Sequence, residues 1–556
     1  MPNINININI RESYGWKMYT HGEATLWFSG YLTSNTIESV ISELDVFLRN
    51  PNVSINLLSS WVKKISGHFA FVVKTPNLCF FAVDKIGSIP LYTFKGFDKY
   101  VVSNHAPYLK SLIGKNKQSL SVALEIAMSG HAIGNKTIYK NIKRLSAGEC
   151  VLWTSEKVYT NYYYTYSPWK VNERNYAQLK DELTKAILSA LQKTINSVNG
   201  RQIVVPLSAG NDSRLIASGL KELGYKNVIC FTYGRSNNYE VTTSKQVAAL
   251  LGYKWIYIQD SIKEKSSFFR SSVYKKYVEE FESYASVPNI QDVYEVCVLK
   301  SKKIIDSDAV VVNGNSGDFI SGGHVLQDLE PNTETFFDYE YNWSLFLDKH
   351  YSLWKKIRTK FNDSLIVSEL HKVASERCDL KSENKIYQYA VMECMECIGR
   401  QSRLVTNQQR SYEFIGHEWR LPLWSEDLLY FWEGVHADYK IDQKLYKEVL
   451  MDNNWGNVWK NIDVNNKLIR PYSLWFVRLV VKALVAPFGR EVWHKIEKNV
   501  FVYWMHPTCA RSIVSYWKVL FDFCGQRNTN SWTADQFLNR HGFDSIMSVS
   551  NKIKER

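Results

Sequence analysis

Apolar and polar residues alternate strictly at the start of the chain, in Asn-Ile pairs from Asn3 to Ile10, which is the period of a half-buried β-strand. Up to about residue 165 the pattern is one of short apolar runs broken by turn residues, with few helices. Val72-Val73 and Cys79–Val83 flank Thr75-Pro76-Asn77, which predicts a hairpin. From Asn175 the period changes: Leu179, Leu183, Ile187, Leu188, Leu191 and Ile195 recur at helical spacing, and Asn199-Gly200 supplies a stop. The short apolar run Ile203–Leu207 then leads through Ser208-Ala209-Gly210-Asn211-Asp212-Ser213 into a helical stretch ending near Leu220. A second run, Val228–Phe231, precedes another helix over Val241–Leu251. Alternating strands and helices imply a parallel sheet covered by helices. From Trp343 to about Arg420 the chain is mainly helical.

A chain of 556 residues exceeds a single core, and the change of period near residue 170 marks a boundary. We divide it into 1–170, 171–470 and 471–556. Aromatic residues make up 14%, which excludes extended disorder. The nine cysteines have no framework spacing, and the amino terminus lacks the basic start and apolar run of a secretory signal. Reduced thiols and a cytoplasmic location are the expectation. Of the net charge of +13, nearly half falls between Pro471 and Arg556, so the excess belongs to the tail and not to a nucleic-acid groove.

The stretch Ser208–Ser213 carries the strongest chemistry. Small residues between a strand and a helix let N–H groups converge on phosphate oxygens, and Asp212 suits a Mg²⁺ that bridges phosphates. An ordinary helix-capping turn is the alternative. A second small-residue stretch, Asn313-Gly314-Asn315-Ser316-Gly317-Asp318, also follows an apolar run, Ala309–Val312, and Asp318 could share the same Mg²⁺. Cys394-Met395-Glu396-Cys397 is one CxxC without a second pair; it reads as core or surface before metal or redox chemistry. Leu474–Phe488 is too short and too charged to span a membrane. We expect a buried helix that docks the tail, with a basic helix on a membrane surface as the alternative.

Several of these segments together resemble a family. Leu207–Ser213 resembles the pyrophosphate loop of asparagine synthetases and their β-lactam synthetase and lasso-peptide cyclase relatives, and Asn313–Gly323 their second loop. Arg410, Glu418 and Arg420-Leu421-Pro422 reproduce the family's R-x7-E-x-R-x-P spacing, and Lys447-Glu448-Val449-Leu450 its K-x-x-L helix. Ser66–Phe71, Asp84–Tyr92 and Thr137–Gly148 resemble the glutaminase-type domain in the expected order, so the likeness runs over roughly residues 20 to 470. It implies an α/β chain: an Ntn-type αββα sandwich-like domain, then a PP-loop parallel-sheet domain of the adenine-nucleotide α-hydrolase kind with helical additions. It also implies ATP and Mg²⁺ as cofactors, nucleotide contacts from Leu207, Ser208, Gly210, Asp212, Ser213, Thr232 and Gly314, metal ligands Asp212 and Asp318, and an essential Lys447. Lys440 and Lys444 read as solvated helix lysines. The implied partners are a small carboxylic acid and ammonia or an amine, without nucleic acid; a homodimer is compatible.

The departures point elsewhere. The family's glutaminase nucleophile is an amino-terminal cysteine where this chain has Pro2, and its glutamine-holding N-G-E is Ser29-Gly30-Tyr31 here, although Asp84 is kept. Ala209 replaces a loop glycine and Asn315 a glutamate. The resemblance therefore implies an AMP-forming carbon–nitrogen ligase without ordinary glutaminase activity. An ATP-binding regulatory homologue and an RNA-modifying PP-loop enzyme remain as alternatives.

Overall fold

The computed structural model describes residues 5–96, 99–114, 118–236, 238–325, 334–335, 339–378, 386–460, 462, 472–505 and 508–555. Pro2 and the boundary placed at 470 lie outside the described residues. The chain is a mixed α/β structure with several sheets.

The alternating amino-terminal segment forms a strand, Asn5–Asn9, paired in parallel with Lys99–Ser103 at the edge of a four-stranded sheet; Ile6, Ile8 and Ile10 are its core-facing side chains. The expected hairpin joins Gly67–Lys74 to Leu78–Val83, its turn closed by the Thr75 N–H donating to the Leu78 carbonyl at 3.0 Å. That hairpin lies at the centre of a six-stranded antiparallel sheet. Helices Ile37–Arg49 and Ile55–Val62 pack on this sheet and Ala106–Ser111 packs on the four-stranded one. Tyr100 and Trp153 bring the two sheets into contact with ring centroids 5.7 Å apart.

Helix α1, Tyr176–Val198, begins with a capping box from Asn175 and Gln178 and ends at Asn199 in the left-handed conformation, as the sequence predicts. A five-stranded parallel sheet follows. Its strands are β1 (Ile203–Pro206), β2 (Val228–Gly234), β3 (Lys254–Gln259), β4 (Val310–Val312) and β5 (Glu418–Arg420). Their order in space is β3-β2-β1-β4-β5. Helix α2, Asn211–Glu222, follows β1 and helix α3, Tyr239–Leu251, follows β2. The chain thus steps outward from β1 through β2 to β3 and returns to the other side of β1 at β4. Connections diverge between β1 and β4, and a crevice opens at their carboxyl ends.

One hydrophobic cluster runs from the antiparallel sheets through the parallel sheet to Ile462. A second joins Leu120–Ser129, the helices between Trp343 and Ile398, and the carboxyl-terminal helices. Helix α4, Ile262–Phe268, follows β3 in the chain, and helix α5, Lys444–Asn453, carries the K-x-x-L segment.

The run from Leu474 departs from the buried reading. Helix α6, Tyr472–Val485, leaves Trp475, Phe476, Val477, Leu479, Val480 and Leu484 exposed; the short helices that follow it are its main described neighbours and do not cover this face. Among the described residues no helix is long and apolar enough to cross a membrane. Later parts of the extension are tied to the helical region: the Lys355 and Lys356 N–H groups donate to the Gly525 and Cys524 carbonyls, and buried Asn362 Nδ2 donates to Ser550 Oγ.

Candidate active site

Strand β1 delivers the chain to the crevice through buried Leu207, whose N–H donates to the Phe231 carbonyl on β2. Helix α2 then starts at Asn211 with Gly210 as its cap, and among the described residues no side chain caps its first N–H groups. These donors are left for an external anion. The loop is braced from within: Ser208 N and Oγ each lie 3.0 Å from Ser213 Oγ, and Gly210 N–H donates to Ser208 Oγ at 3.1 Å. Neither Ala209 nor Gly210 has a positive φ. The replacement at Ala209 therefore introduces no backbone strain in this loop.

The second loop presses against the first. A Cβ on Gly317 would lie 2.5 Å from Asp212 Cγ, and one on Gly314 would lie 2.6 Å from the Asp212 carbonyl carbon, so both positions require glycine. The Asp318 N–H donates to Asp212 Oδ2 at 2.9 Å, and Tyr446 on α5 donates to Oδ1 at 3.0 Å. The two loops and the first turn of α5 thus converge on one carboxylate.

Asp212 is pushed up to about 7, first by burial and then by the neighbouring Asp318 charge. Asp318 lies below the ordinary carboxylate value. Burial opposes its ionisation, but a hydrogen bond and charge from His324 outweigh burial. His324 Nε2 sits 3.2 Å from Asp318 Oδ2, its other nitrogen meets Glu396, and His350 reaches the second Glu396 oxygen at 3.1 Å. Burial lowers His324, yet these two carboxylates raise it to about 9. Among the described residues no group of three or more His, Cys, Asp or Glu side chains is arranged to hold a metal ion by itself.

A cavity of about 760 Å³ opens over these loops. Leu207, Ser208, Gly210, Asp212, Ser213, Thr232, Gly314 and Asp318, all expected at the site, line it. Thr232 is tied to the loop by donating its hydroxyl to the Leu207 carbonyl at 2.6 Å. On the β4 side stand Asn315, Arg400 and Gln401; the Asn315 Nδ2 is buried without a hydrogen-bond partner among the described residues. On the β2–β3 side stand Asp260 and Lys265, with Lys265 buried in ion pairs to Asp260 and Glu295.

Lys447 is not on the cavity wall. It is exposed, and its ammonium donates to the Asp442 carbonyl at 2.6 Å, while its neighbour Tyr446 and the nearby Gln443 reach the loops. Lys440 is not solvated, contrary to the expectation for it: it is fully buried and paired with Glu393 at 2.9 Å. Arg410 and Arg420 serve packing between regions. Arg410 donates to the Ser88 carbonyl, and Arg420 lies 4.2 Å from the centre of the Tyr31 ring. Cys394 and Cys397 are buried core residues. Tyr446 could have been found beside the lysine motif and His324 beside Gly322-Gly323; Lys265, Arg400 and the carboxyl-terminal wall have no local signal.

In the amino-terminal region, Tyr31 fills the place where the resemblance leads one to look for a glutamate. Its hydroxyl contacts His68 Nδ1 at 2.8 Å and accepts from the Leu421 N–H at 3.1 Å. Asp84 is buried and accepts from the Phe69, Ile86 and Ser88 N–H groups and the Ser88 hydroxyl. Burial outweighs these bonds and raises it to about 6.

No family model matches the chain, and no curated protein matches it. Among solved structures it is similar to an NH3-dependent NAD synthetase from Campylobacter jejuni, at 16% identity over 40% of this chain and 94% of that one, with a TM-score of 0.20. The allosteric regulatory enzyme of purine biosynthesis overlaps it at 11% identity over 44% of this chain and 62% of that one, with a TM-score of 0.18. Glutamine phosphoribosylpyrophosphate amidotransferase from B. subtilis does so at 11% identity over 55% and 64%, also with a TM-score of 0.18. The chain spans less than two thirds of the latter two. Function has to be read from the site itself.

Proposed function

We propose that the protein is an ATP-dependent, AMP-forming ligase of the asparagine synthetase kind that joins a carboxylic acid to ammonia or an amine without taking nitrogen from glutamine. In this reading residues 1–170 are a degenerate glutaminase-type, Ntn-like domain, 171–470 the PP-loop catalytic domain and 471–556 an extension. The observation that carries it is the convergence of two strand-end loops on Asp212 at the β1–β4 crevice, beside an uncapped helix start.

The residues present fit the phosphate chain of ATP. The N–H groups at the start of α2 and the hydroxyls of Ser208 and Ser213 would meet phosphate oxygens, and Asp212, which is raised to about 7 and makes no ion pair among the described residues, would be held ionised by a bound cation. Asp212 and Asp318 would hold Mg²⁺, a hard cation that takes oxygen ligands and screens the phosphate charge. The acid, oriented by Asn315 Nδ2 and Arg400, attacks the α-phosphorus with one carboxylate oxygen; the bond to the bridging oxygen breaks and pyrophosphate leaves. Nitrogen then attacks the acyl carbon, AMP departs and the nitrogen loses a proton. Lys447, on the first turn of α5 and turned to the Asp442 carbonyl here, would have to swing toward the phosphates to stabilise charge on the leaving group.

A second reading, nucleotide binding without ligation, is favoured by the Lys447 ammonium, which is turned to Asp442. Calorimetric titration with ATP tests the shared part of both: affinity rises with Mg²⁺, and Asp212→Asn or Asp318→Asn removes that rise. Magnesium-independent binding in the wild type, or wild-type behaviour of both variants, would sink the metal site.

A further inference from the structure

The carboxyl-terminal extension builds part of the catalytic cavity. Helix α7, Thr508–Ile513, packs on α4, where Ser266 Oγ donates to the Ser512 carbonyl at 3.2 Å. Helix α8, Thr529–Arg540, packs on α7. Together they bring Thr508, Cys509, Ala510 and Thr533 to the cavity wall. Thr533 is 4% exposed, and its hydroxyl has no hydrogen-bond partner among the described residues. A buried hydroxyl without a partner is costly to leave so, and one on a cavity wall is supplied with a partner by whatever fills the cavity.

The two ends of the cavity differ. At the β4 end are the charged Asp318 and Arg400. At the β2–β3 end the Lys265 ammonium is already paired with both Asp260 and Glu295, Glu240 adds a further carboxylate that disfavours an acid there, and the Phe231 and Tyr233 rings stand 6.4 Å apart, inclined by 29°. With phosphates held between β1 and β4, a charged acid suits the first end and an uncharged, flat, hydroxyl-bearing nucleoside the second. Through α7 on α4, the extension roofs the second.

We propose that the extension closes the nucleoside half of the ATP pocket and that Thr533 is a specificity-determining residue that hydrogen-bonds the nucleoside. The inference rests on the nucleotide reading above and adds to it a pocket wall from outside the parallel-sheet region. It is a binding role, separate from the phosphate loops.

The test compares MgATP with magnesium pyrophosphate, which lacks the nucleoside, by titration calorimetry on the full chain. Thr533→Val should weaken ATP binding about three- to tenfold, the effect of one neutral hydrogen bond, and leave pyrophosphate binding unchanged. Thr533→Ser should restore ATP affinity, which a purely structural role would not predict. Equal ATP affinity in wild type and Thr533→Val overturns the proposal and leaves the nucleotide reading standing. An equal loss for both ligands, or no rescue by serine, also overturns it. A wild type that binds neither ligand removes the nucleotide reading and this proposal with it.

Discussion

Asp84 and Asp212 are both carboxylates raised by burial, to about 6 and about 7, and they sit in regions of opposite character. Asp84 follows an antiparallel strand and is enclosed by N–H and hydroxyl donors of its own turn and the facing strand. Among the described residues Asp212 has two donors, both from other segments of the chain, and it faces a second carboxylate and a large cavity. A raised pKa therefore does not distinguish a structural acid from a functional one. A carboxylate with few donors beside open space does. The first region has turned a carboxylate inward to fasten a turn, and the second keeps one on the wall of a cavity.

The largest effect that tests this contrast is expected at Gly317. A valine there must displace Asp212, so Gly317→Val should lower magnesium-dependent ATP binding by about 10²-fold or more while far-ultraviolet circular dichroism stays native. Retained binding would show that the two loops need not touch. Next, Lys447→Ala should slow pyrophosphate release about 10²-fold at unchanged ATP affinity, the usual cost of one electrostatic contact made in the transition state. Loss of affinity with unchanged turnover in steady-state assays would reverse that assignment. Lys440 cannot serve as a neutral control, because removing it leaves Glu393 buried and unpaired.

Asp84→Ala should do the opposite of the loop variants. It strands several buried donors and should lower unfolding free energy by about 2–4 kcal/mol in denaturant titrations, with turnover per folded molecule unchanged. A silent effect on stability, or a specific loss of turnover, would erase the distinction between the two aspartates.

The last test is of acid stability, read as a small difference in slope between two proteins. Burial lowers His68 and His131 to about 3, below the ordinary histidine value of 6.5, so the folded state binds fewer protons than the unfolded one. Their contribution is complete above pH 6.5 and is lost as pH falls toward 3, by up to about 1.4 kcal/mol per pH unit for each group. Asp84 and Asp212, raised by burial, act in the opposite sense as pH falls, so the test is a difference: thermal midpoints should fall less steeply, or rise more, in His68→Gln than in the wild type over that window.

The elements around the site were legible because local rules set them: a capping box at Asn175, a hairpin turn at Thr75, and two small-residue loops after apolar strands. What makes the loops a site was not local. The Tyr446 contact to Asp212 spans 234 positions, and the burial of Lys440 depends on a helix nearly fifty residues away. Helix α6 was misjudged for a related reason: apolar content predicts burial only where another element arrives to cover it. The extension's wall on the cavity is a packing result with no motif of its own.

The most direct test is to identify what becomes of ATP. Purified protein, Mg²⁺ and ammonium should be incubated with a panel of carboxylic acids, with glutamine tested separately as the nitrogen source. At least one acid should give AMP and pyrophosphate in equal amounts and an amide product, and glutamine should yield no glutamate. Release of ADP and phosphate, or ATP left intact with every acid despite tight binding, would contradict the account.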